Sequence, residues 1–165
     1  MRGLASRELC TRKGIVLIFD EMWTGFRLSL GGAQQYFAVD ADLICFSKAV
    51  ANGMPLSILC GKQELMQLCD RDIFFFTTFG GETLSLAAAK ATINELRLHN
   101  VPDYLASQGE KLKEGYNEIA LSLNMPYTAC NGMDARTIIT FSHATENALP
   151  PSTPTPGHRH SAPVP

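Results

Sequence analysis

The chain has 165 residues, of which 45% are hydrophobic and 18% are charged, and its formal net charge is -2. This length and composition predict one globular unit and exclude a chain that is disordered throughout. The charge balance provides no basic surface for nucleic acid, so nucleic acid is not an expected partner. No apolar run approaches the roughly 20 residues of a membrane span, so a membrane is not an expected partner either. The N-terminus has no apolar stretch of signal-peptide length, which makes a cytoplasmic protein the default expectation.

Three short apolar runs, bounded by turn residues, predict three strands. They cover residues 14–19, 43–46 and 57–60. The first run is continuously apolar, as in a strand that is buried on both faces of a parallel sheet. The first run leads into Asp20 and the second into Lys48, so both side chains should lie at the carboxyl ends of strands.

Two long helices and one more strand are predicted in the second half of the chain. Residues 83–98 are rich in Ala and Leu and lack Pro and Gly, which favours a helix. Residues 102–124 are amphipathic and predict a second helix. Its inward-facing residues are expected to be Leu105, Leu112, Tyr116 and Ile119. Residues 137–141 complete the set as a strand.

The end of the chain has a different composition. Six of the nine prolines lie in residues 150–165, and residues 144–165 are predicted to be a disordered tail. His158 and His160 in this tail have no third metal ligand nearby, and the five cysteines show no C-x-x-C spacing. The sequence therefore predicts no metal site.

Asp20 and Lys48 are the candidate functional residues, because open α/β sheets bind ligands beyond the carboxyl ends of their strands. Two other interpretations are open at this point. The two residues could form a plain surface ion pair. Alternatively, Asp20-Glu21 could be the Mg²⁺-binding strand end of a P-loop NTPase, although the chain contains no G-x-x-x-x-G-K-[ST] loop.

Several spaced motifs favour a third interpretation. They are DEMWTGFR at residues 20–27, GGAQQYF at 31–37, DL at 42–43, SK at 47–48, NGMP at 52–55 and TTFGGETL at 77–84. In this order they closely resemble the central block of class III pyridoxal-phosphate (PLP) aminotransferases, and the TGFR and GGAQ motifs are most similar to the glutamate-1-semialdehyde aminomutase branch. The resemblance covers about residues 14–98.

The resemblance implies a fold, a cofactor and a role for each matching residue. The fold would be an incomplete fold-type I PLP-transferase large domain, an α/β structure whose mostly parallel sheet is flanked by helices. Lys48 would be the catalytic lysine that links PLP through a Schiff base, and Asp20 would keep the ring nitrogen protonated. Met22 would pack against the pyridine ring. Thr78, with Thr77 as the alternative if the alignment slips by one, would hold the cofactor phosphate.

The phosphate-binding threonine of this family typically serves the neighbouring subunit, so the resemblance also implies a homodimer with a shared active site. Thr78 and Gly80 would then lie far from Lys48 of their own chain. The expected reaction is a transamination or aminomutation that moves an amino group to or from a small amino-acid-like or amino-sugar-like substrate.

The resemblance also implies a domain organisation. Residues 1–13 would form an N-terminal lead-in, residues 14–143 a partial PLP-binding large domain that runs into the start of the small domain, and residues 144–165 the tail. Family members are much longer, and their N-terminal half supplies part of the phosphate-binding cup. A truncated form is therefore expected, and a non-catalytic fragment or pseudo-enzyme of the family is the alternative.

Overall fold

The computed structural model of the chain describes residues 2–74 and 76–142, with side chains described from residue 5 onward. The helices are α1 (Arg2–Lys13), α2 (Gly32–Phe37), α3 (Gln63–Arg71), α4 (Thr83–Leu98) and α5 (Val101–Ser122). The strands are β1 (Ile18–Asp20), β2 (Leu43–Phe46), β3 (Ile58–Gly61), β4 (Thr128–Met133) and β5 (Arg136–Phe141), and a 3-10 turn, Lys48–Val50, follows β2. In this part of the chain, none of the helices combines the length and apolar character that crossing a bilayer requires.

The first three strands form one sheet in the order β1-β2-β3, as the apolar runs predict. β1 and β2 are parallel, with Asp20 opposite Cys45, whereas β2 and β3 are antiparallel. The expectation of a mostly parallel sheet is therefore wrong for the third strand. Only residues 47–57 connect β2 to β3, and a parallel pair needs a crossover of about a dozen residues or more, usually with a helix.

The first strand is shorter and more exposed than the apolar run at residues 14–19 predicts. The chain must first leave α1, and it does so through Gly14 at a φ of 64°, after which the Ile15 N–H donates to the Cys10 carbonyl at 2.9 Å. Ile18 is 55% exposed, so burial on both faces is not observed. β1 has a strand partner on one side only in the described sheet, which leaves its apolar side chains uncovered.

The helix predicted from Thr83 to Leu98 is confirmed as α4 with the same bounds. It packs on the 3-10 turn through Ala89, which forms a buried cluster with Val50 and Ala51. Phe26 and Ile93 pack against this cluster. The segment that follows Lys48 is therefore held between the sheet and the apolar surface of α4.

The second predicted helix is confirmed as α5, but its orientation differs from the prediction. Leu112 and Ile119, expected to face inward, are exposed. The face that contacts β4 carries Asn117, whose side-chain amide donates to the Cys130 carbonyl at 2.9 Å and accepts from the Cys130 N–H at 2.8 Å. These two hydrogen bonds satisfy the N–H and the carbonyl of Cys130, which would otherwise lack partners. They also orient α5 so that its apolar stripe faces partly toward solvent.

β5 confirms the strand predicted at residues 137–141, and it pairs antiparallel with β4 as a hairpin. The turn of this hairpin lies against α5 at Gly109, where an added Cβ would overlap the Asp134 carbonyl oxygen. Lys113 pairs with Asp134 on the same helix face. The predicted disordered tail at residues 144–165 and the histidines within it lie outside the described residues.

Candidate active site

Asp20 and Lys48 lie at one rim of the first sheet. Asp20 is the last residue of β1, and Lys48 begins the 3-10 turn two residues after β2 ends. Because β1 and β2 are parallel and in register at Asp20 and Cys45, both functional candidates project from the carboxyl ends of adjacent strands. This is the rim at which open α/β sheets bind ligands.

The Asp20 carboxylate is exposed and partly engaged by its own loop. Its Oδ1 accepts the Met22 N–H at 3.0 Å. Met22 is also exposed. The carboxylate therefore keeps lone pairs available toward solvent, and the side chain of Met22 is available to contact a ligand.

Glu21 is buried, with 1% of its surface exposed, and it organises the loop after β1. Its carboxylate accepts the N–H groups of Ala33 and Gln34, both at 2.8 Å, and the hydroxyl of Thr24. Gly32 adopts a φ of 71°, and a Cβ at this position would overlap the Glu21 carboxylate. Glu21 therefore joins the β1 loop to the first turn of α2.

This environment excludes the role that a P-loop NTPase would give Glu21. A glutamate that positions water must reach solvent, whereas the oxygens of Glu21 are occupied by groups of its own chain. The two glycines at residues 31–32, followed by a short helix, are the signal in the sequence that could have identified this contact.

Lys48 has an unusual backbone conformation for a non-glycine residue. Its φ is 49°, in the left-handed region, and the turn that it begins is fixed at its far end by Val50, which is fully buried. The side chain is exposed, and its Nζ lies 5.7 Å from the centroid of the Trp23 ring. Among the described residues, no carboxylate forms an ion pair with Lys48.

Trp23 also contacts a second cation, which sequence reasoning did not identify. The Cζ of Arg136, the first residue of β5, lies 4.4 Å from the Trp23 ring centroid. One residue earlier, the Ala135 carbonyl accepts the Arg27 Nε–H at 2.5 Å. The β4–β5 hairpin thus packs on the loop that follows Asp20. The contacting residues are far apart in the sequence, so no local sequence pattern reveals this contact.

A cleft of about 530 Å³ lies beside Lys48. It is lined by residues 47–48, 53–57 and 77–81. The lining includes Thr77 and Thr78 together with Lys48 of the same chain.

Asp20 and Met22 do not line this cleft. The left-handed turn at Lys48 directs the chain toward β3, whereas the Asp20 carboxylate folds back on its own loop. Trp23, in the loop that follows Asp20, contacts Lys48 through its ring.

The N-terminus of α4 is already occupied by a carboxylate of the chain itself. Glu82 accepts the N–H groups of Leu84 and Ser85, both at 2.7 Å, and the Ser85 hydroxyl at 2.6 Å. The Ser85 hydroxyl, followed by these two N–H groups, lowers the pKa of Glu82 below its ordinary value. A bound anion would therefore rely on the threonines and the glycine loop before α4 rather than on the helix itself.

Comparison with known proteins assigns the family. The family model for aminotransferase class-III matches residues 3–127. Glutamate-1-semialdehyde 2,1-aminomutase of Acetivibrio thermocellus is 38% identical over 116 residues, which cover 68% of this chain and 27% of that protein. The chain thus spans about a quarter of the length of this curated relative.

Solved structures of transaminases share the fold. An omega-transaminase from Sphaerobacter thermophilus superposes with a TM-score of 0.76 at 26% identity, over 86% of this chain and 33% of that one. The FumI protein of Sphingopyxis sp. MTA144, described in its PLP internal aldimine form, gives a TM-score of 0.76 at 25% identity, over 85% and 33% of the two chains. The incomplete fold-type I α/β domain expected from the sequence is confirmed. The match to most of its length and the shared fold establish that this chain belongs to the class III aminotransferase family.

Proposed function

We propose that this chain is the lysine-bearing part of a PLP-dependent transaminase or aminomutase that acts on a small amino-acid-like or amino-sugar-like substrate. The observation that carries the proposal is Lys48, an exposed lysine without an acidic partner among the described residues, held at a strand end in a left-handed conformation. Strained backbone of this kind is maintained where the surrounding structure fixes it, often at functional sites. The cytoplasm is the proposed location.

The donor groups of this rim fit the cofactor. Lys48 would hold the aldehyde carbon through its Nζ, and the exposed Asp20 carboxylate would accept a hydrogen bond from the protonated ring nitrogen. Met22 would cover one face of the ring, and the hydroxyl of Thr78, or of Thr77, would bind the phosphate. When bound, PLP supplies an electron sink for the carbon that carries the substrate amino group.

The chain's own groups would then perform three tasks. The Lys48 amine would be the group that holds the cofactor, and it would hold and move the proton at the substrate carbon. The Asp20 carboxylate keeps a positive charge on the ring nitrogen, because a nearby anion favours the protonated form. Glu21 holds the loop that positions Asp20, Met22 and Trp23 by its bonds to α2.

We also propose a homodimer with a shared active site. The segment around Thr78 and Phe79 is exposed and borders the cleft beside Lys48, so it can be approached by a second subunit. In this arrangement, Thr78 of one subunit would bind the phosphate of the cofactor that is linked to Lys48 of the other.

The test is chemical labelling of the full chain. After incubation with PLP and reduction with borohydride, peptide mapping should place the label on Lys48. Lys48→Ala should abolish this label, and Lys90→Ala, which removes an exposed lysine of α4, should retain it. Asp20→Asn should preserve the label but lower the rate of transamination by about a hundredfold or more, because the transition state loses its electrostatic partner.

Labelling of a different lysine, or normal turnover by Asp20→Asn, would overturn the assignment of these two residues. Absence of label in the wild-type chain, with helix content retained by circular dichroism, would instead favour a non-catalytic member of the family.

A further inference from the structure

We propose that the fold exposes Asn52 to spontaneous deamidation, in which the backbone nitrogen of Gly53 displaces the side-chain amide, and that it protects the same sequence at Asn131. The reaction needs only the chain and water, so the inference is independent of the proposed function. Two identical Asn-Gly-Met sequences that lie in contrasting structural settings support it.

The chain offers this chemistry at two places. Asn-Gly-Met occurs at residues 52–54 and again at residues 131–133. Asparagine is a thermolabile residue, and a glycine after it has no side chain to obstruct attack by the backbone nitrogen. Because the two residues that follow each asparagine are the same, the local sequence predicts similar rates at the two sites. A large difference in rate would therefore come from the fold.

The first site lies in an open turn. Asn52 and Gly53 are both exposed, between the 3-10 turn and β3. None of the described residues accepts a hydrogen bond from the Gly53 N–H or forms one with the Asn52 side chain. A Cβ added at Gly53 would meet no atom within 4 Å. The attacking nitrogen and the amide are therefore both unengaged, and the chain has room to rotate one toward the other.

The backbone of this turn is also easy to open. Asn52 has a φ of 46°, in the left-handed region that costs an L residue conformational energy. Two hydrogen bonds hold the turn: the Asn52 N–H donates to the Lys48 carbonyl and the Met54 N–H to the Ala51 carbonyl, both at 3.2 Å. This distance is at the long end of the range for such bonds. An exposed turn of this kind opens locally far more often than a paired strand does.

The second site is held in the β4–β5 hairpin. Asn131 and Gly132 lie within β4, which pairs with β5 along its whole length. The Asn131 side-chain amide donates to the Thr140 hydroxyl at 3.3 Å. A Cβ added at Gly132 would lie 2.7 Å from the Arg136 carbonyl oxygen, so the backbone here has no free space on that side. Attack at Asn131 therefore requires the hairpin to open first.

The reaction balances with water as its only co-reactant. The Gly53 nitrogen gives its proton to solvent and bonds to Asn52 Cγ, and the Cγ–Nδ2 bond breaks as Nδ2 takes up a proton and leaves as ammonia. Water then opens the cyclic imide. Cleavage of the bond between the Gly53 nitrogen and Cγ gives aspartate, and cleavage of the bond to the main-chain carbonyl carbon of residue 52 gives isoaspartate. No group is oxidised or reduced.

The modification would change the turn that begins at Lys48. Each conversion replaces a neutral amide with a carboxylate and so adds one negative charge to the formal net charge of -2. In isoaspartate the main chain also runs through the former side chain, which lengthens the turn beyond the hydrogen bond from the Asn52 N–H to the Lys48 carbonyl. Deamidation therefore alters the charge and the backbone next to Lys48 as the chain ages.

The experiment measures both sites in one sample. The full wild-type chain is incubated at mildly alkaline pH, where more of the amide nitrogen is deprotonated, and samples are mapped by mass spectrometry over several days. Edman degradation, which stops at isoaspartate, identifies that product. We expect conversion at Asn52 to be at least about tenfold faster than at Asn131, because the paired hairpin opens rarely. In urea that unfolds the chain, the two rates should agree within about threefold, since the structural difference is then removed. Asn52→Gln should abolish fast conversion at residue 52, because the longer side chain closes a larger ring, and it should leave the rate at Asn131 unchanged.

Equal rates at the two sites of the folded chain, or faster conversion at Asn131, would overturn the proposal. A preference for Asn52 that persists at the same size in urea would also overturn it, because the preference would then come from the sequence and not from the fold. Both comparisons use the wild-type chain, so they hold even if Asn52→Gln impairs folding. Neither uses PLP, so their failure is distinct from a failure of the proposed function.

Discussion

At the scale of single residues, a buried carboxylate that pairs with two cations lies away from the candidate active site. Asp42, just before β2, is buried and accepts the Leu17 N–H at 2.7 Å, and it pairs with Lys62 at 2.7 Å and Arg7 at 2.8 Å. The Leu17 N–H, followed by the Lys62 and Arg7 cations, holds the pKa of Asp42 far below its ordinary value of 3.8. This one side chain joins α1, the start of β2 and the end of β3.

We expect the stability of the chain to depend on Asp42 in acid. A carboxyl group whose pKa is lowered on folding stabilises the folded state above its unfolded pKa, and this contribution is lost as the pH falls from there toward the folded pKa. Asp42→Asn should therefore be less stable than the wild type at pH 7, and the difference should shrink progressively below pH 3.8. Urea unfolding at a series of pH values measures this directly.

Asp40→Asn is the matched control, because the exposed Asp40 carboxylate makes no hydrogen bond or ion pair with the described residues. It should leave stability nearly unchanged at pH 7. A difference between wild type and Asp42→Asn that stays constant from pH 7 to the acid limit would contradict the linkage.

The sequence predicts the residues of the candidate site only where those residues stand within a recognisable local sequence pattern. Asp20 and Lys48 follow apolar runs and stand within recognisable motifs, so their placement at one strand rim could be inferred from the amino-acid sequence alone. Arg136 could not, because its contact with Trp23 joins residues far apart in the sequence through a hairpin turn. The roles of Asp20, Met22, Lys48 and Thr78 remain predictions.

At the scale of secondary structure elements, one close contact fixes the hairpin against α5. The backbone of α5 at Gly109 touches the Asp134 carbonyl, and no side chain fits between them. The second glycine in the middle of this helix, Gly115, has open space where a Cβ would be. The two positions are therefore a matched pair for testing the contact.

Gly109→Ala should destabilise the chain by about 1–3 kcal/mol or more, because the hairpin must move away from the helix. Gly115→Ala should be neutral or stabilise it by about 0.5–1 kcal/mol, since alanine is the better helix former. Thermal unfolding monitored by circular dichroism compares the two. Equal effects of both substitutions would show that Gly109→Ala acts only through helix propensity and that the contact between Gly109 and the hairpin does not limit stability.

Elements with a strong local signal were predicted well, and those that depend on distant partners were not. α4 has no helix breaker and an acidic cap, so its bounds could be read from composition. The direction of β3 and the buried face of α5 depend on connection length and on the Asn117–Cys130 hydrogen bonds. No sequence pattern predicted α1, α2, α3 or β4. In β4, Asn131 and Gly132 weaken the pattern that is typical of a strand.

At the scale of the whole molecule, the segment before α4 has the features of an association surface. Phe76 and Phe79 are 74% and 60% exposed, and Phe74 contacts Phe76 with ring centroids 6.0 Å apart. Exposed aromatic groups in one segment are typical of surfaces that bind another protein. They adjoin Thr78, the residue proposed to serve the second subunit.

If the proposed homodimer uses this surface, Phe76→Ser and Phe79→Ser should each raise the dimer dissociation constant by at least about tenfold, because large aromatic residues dominate interface energetics. Leu121→Ser is the control, since Leu121 is 82% exposed but lies on α5. Sedimentation velocity at several protein concentrations measures all three. A chain that remains monomeric throughout, or a control variant that dissociates equally, would contradict this assignment of the interface.

The left-handed turn at Lys48 also limits how the site could be rebuilt by protein engineering. Moving the amine one residue earlier would replace Ser47, whose hydroxyl donates to the Leu56 carbonyl at 2.9 Å and ties the turn to the segment before β3. Moving it two residues later would place a charge at Val50, which is fully buried against α4. A transplanted lysine would therefore need the whole turn redesigned, and a library that scrambles residues 47–50 should return active clones with lysine at position 48.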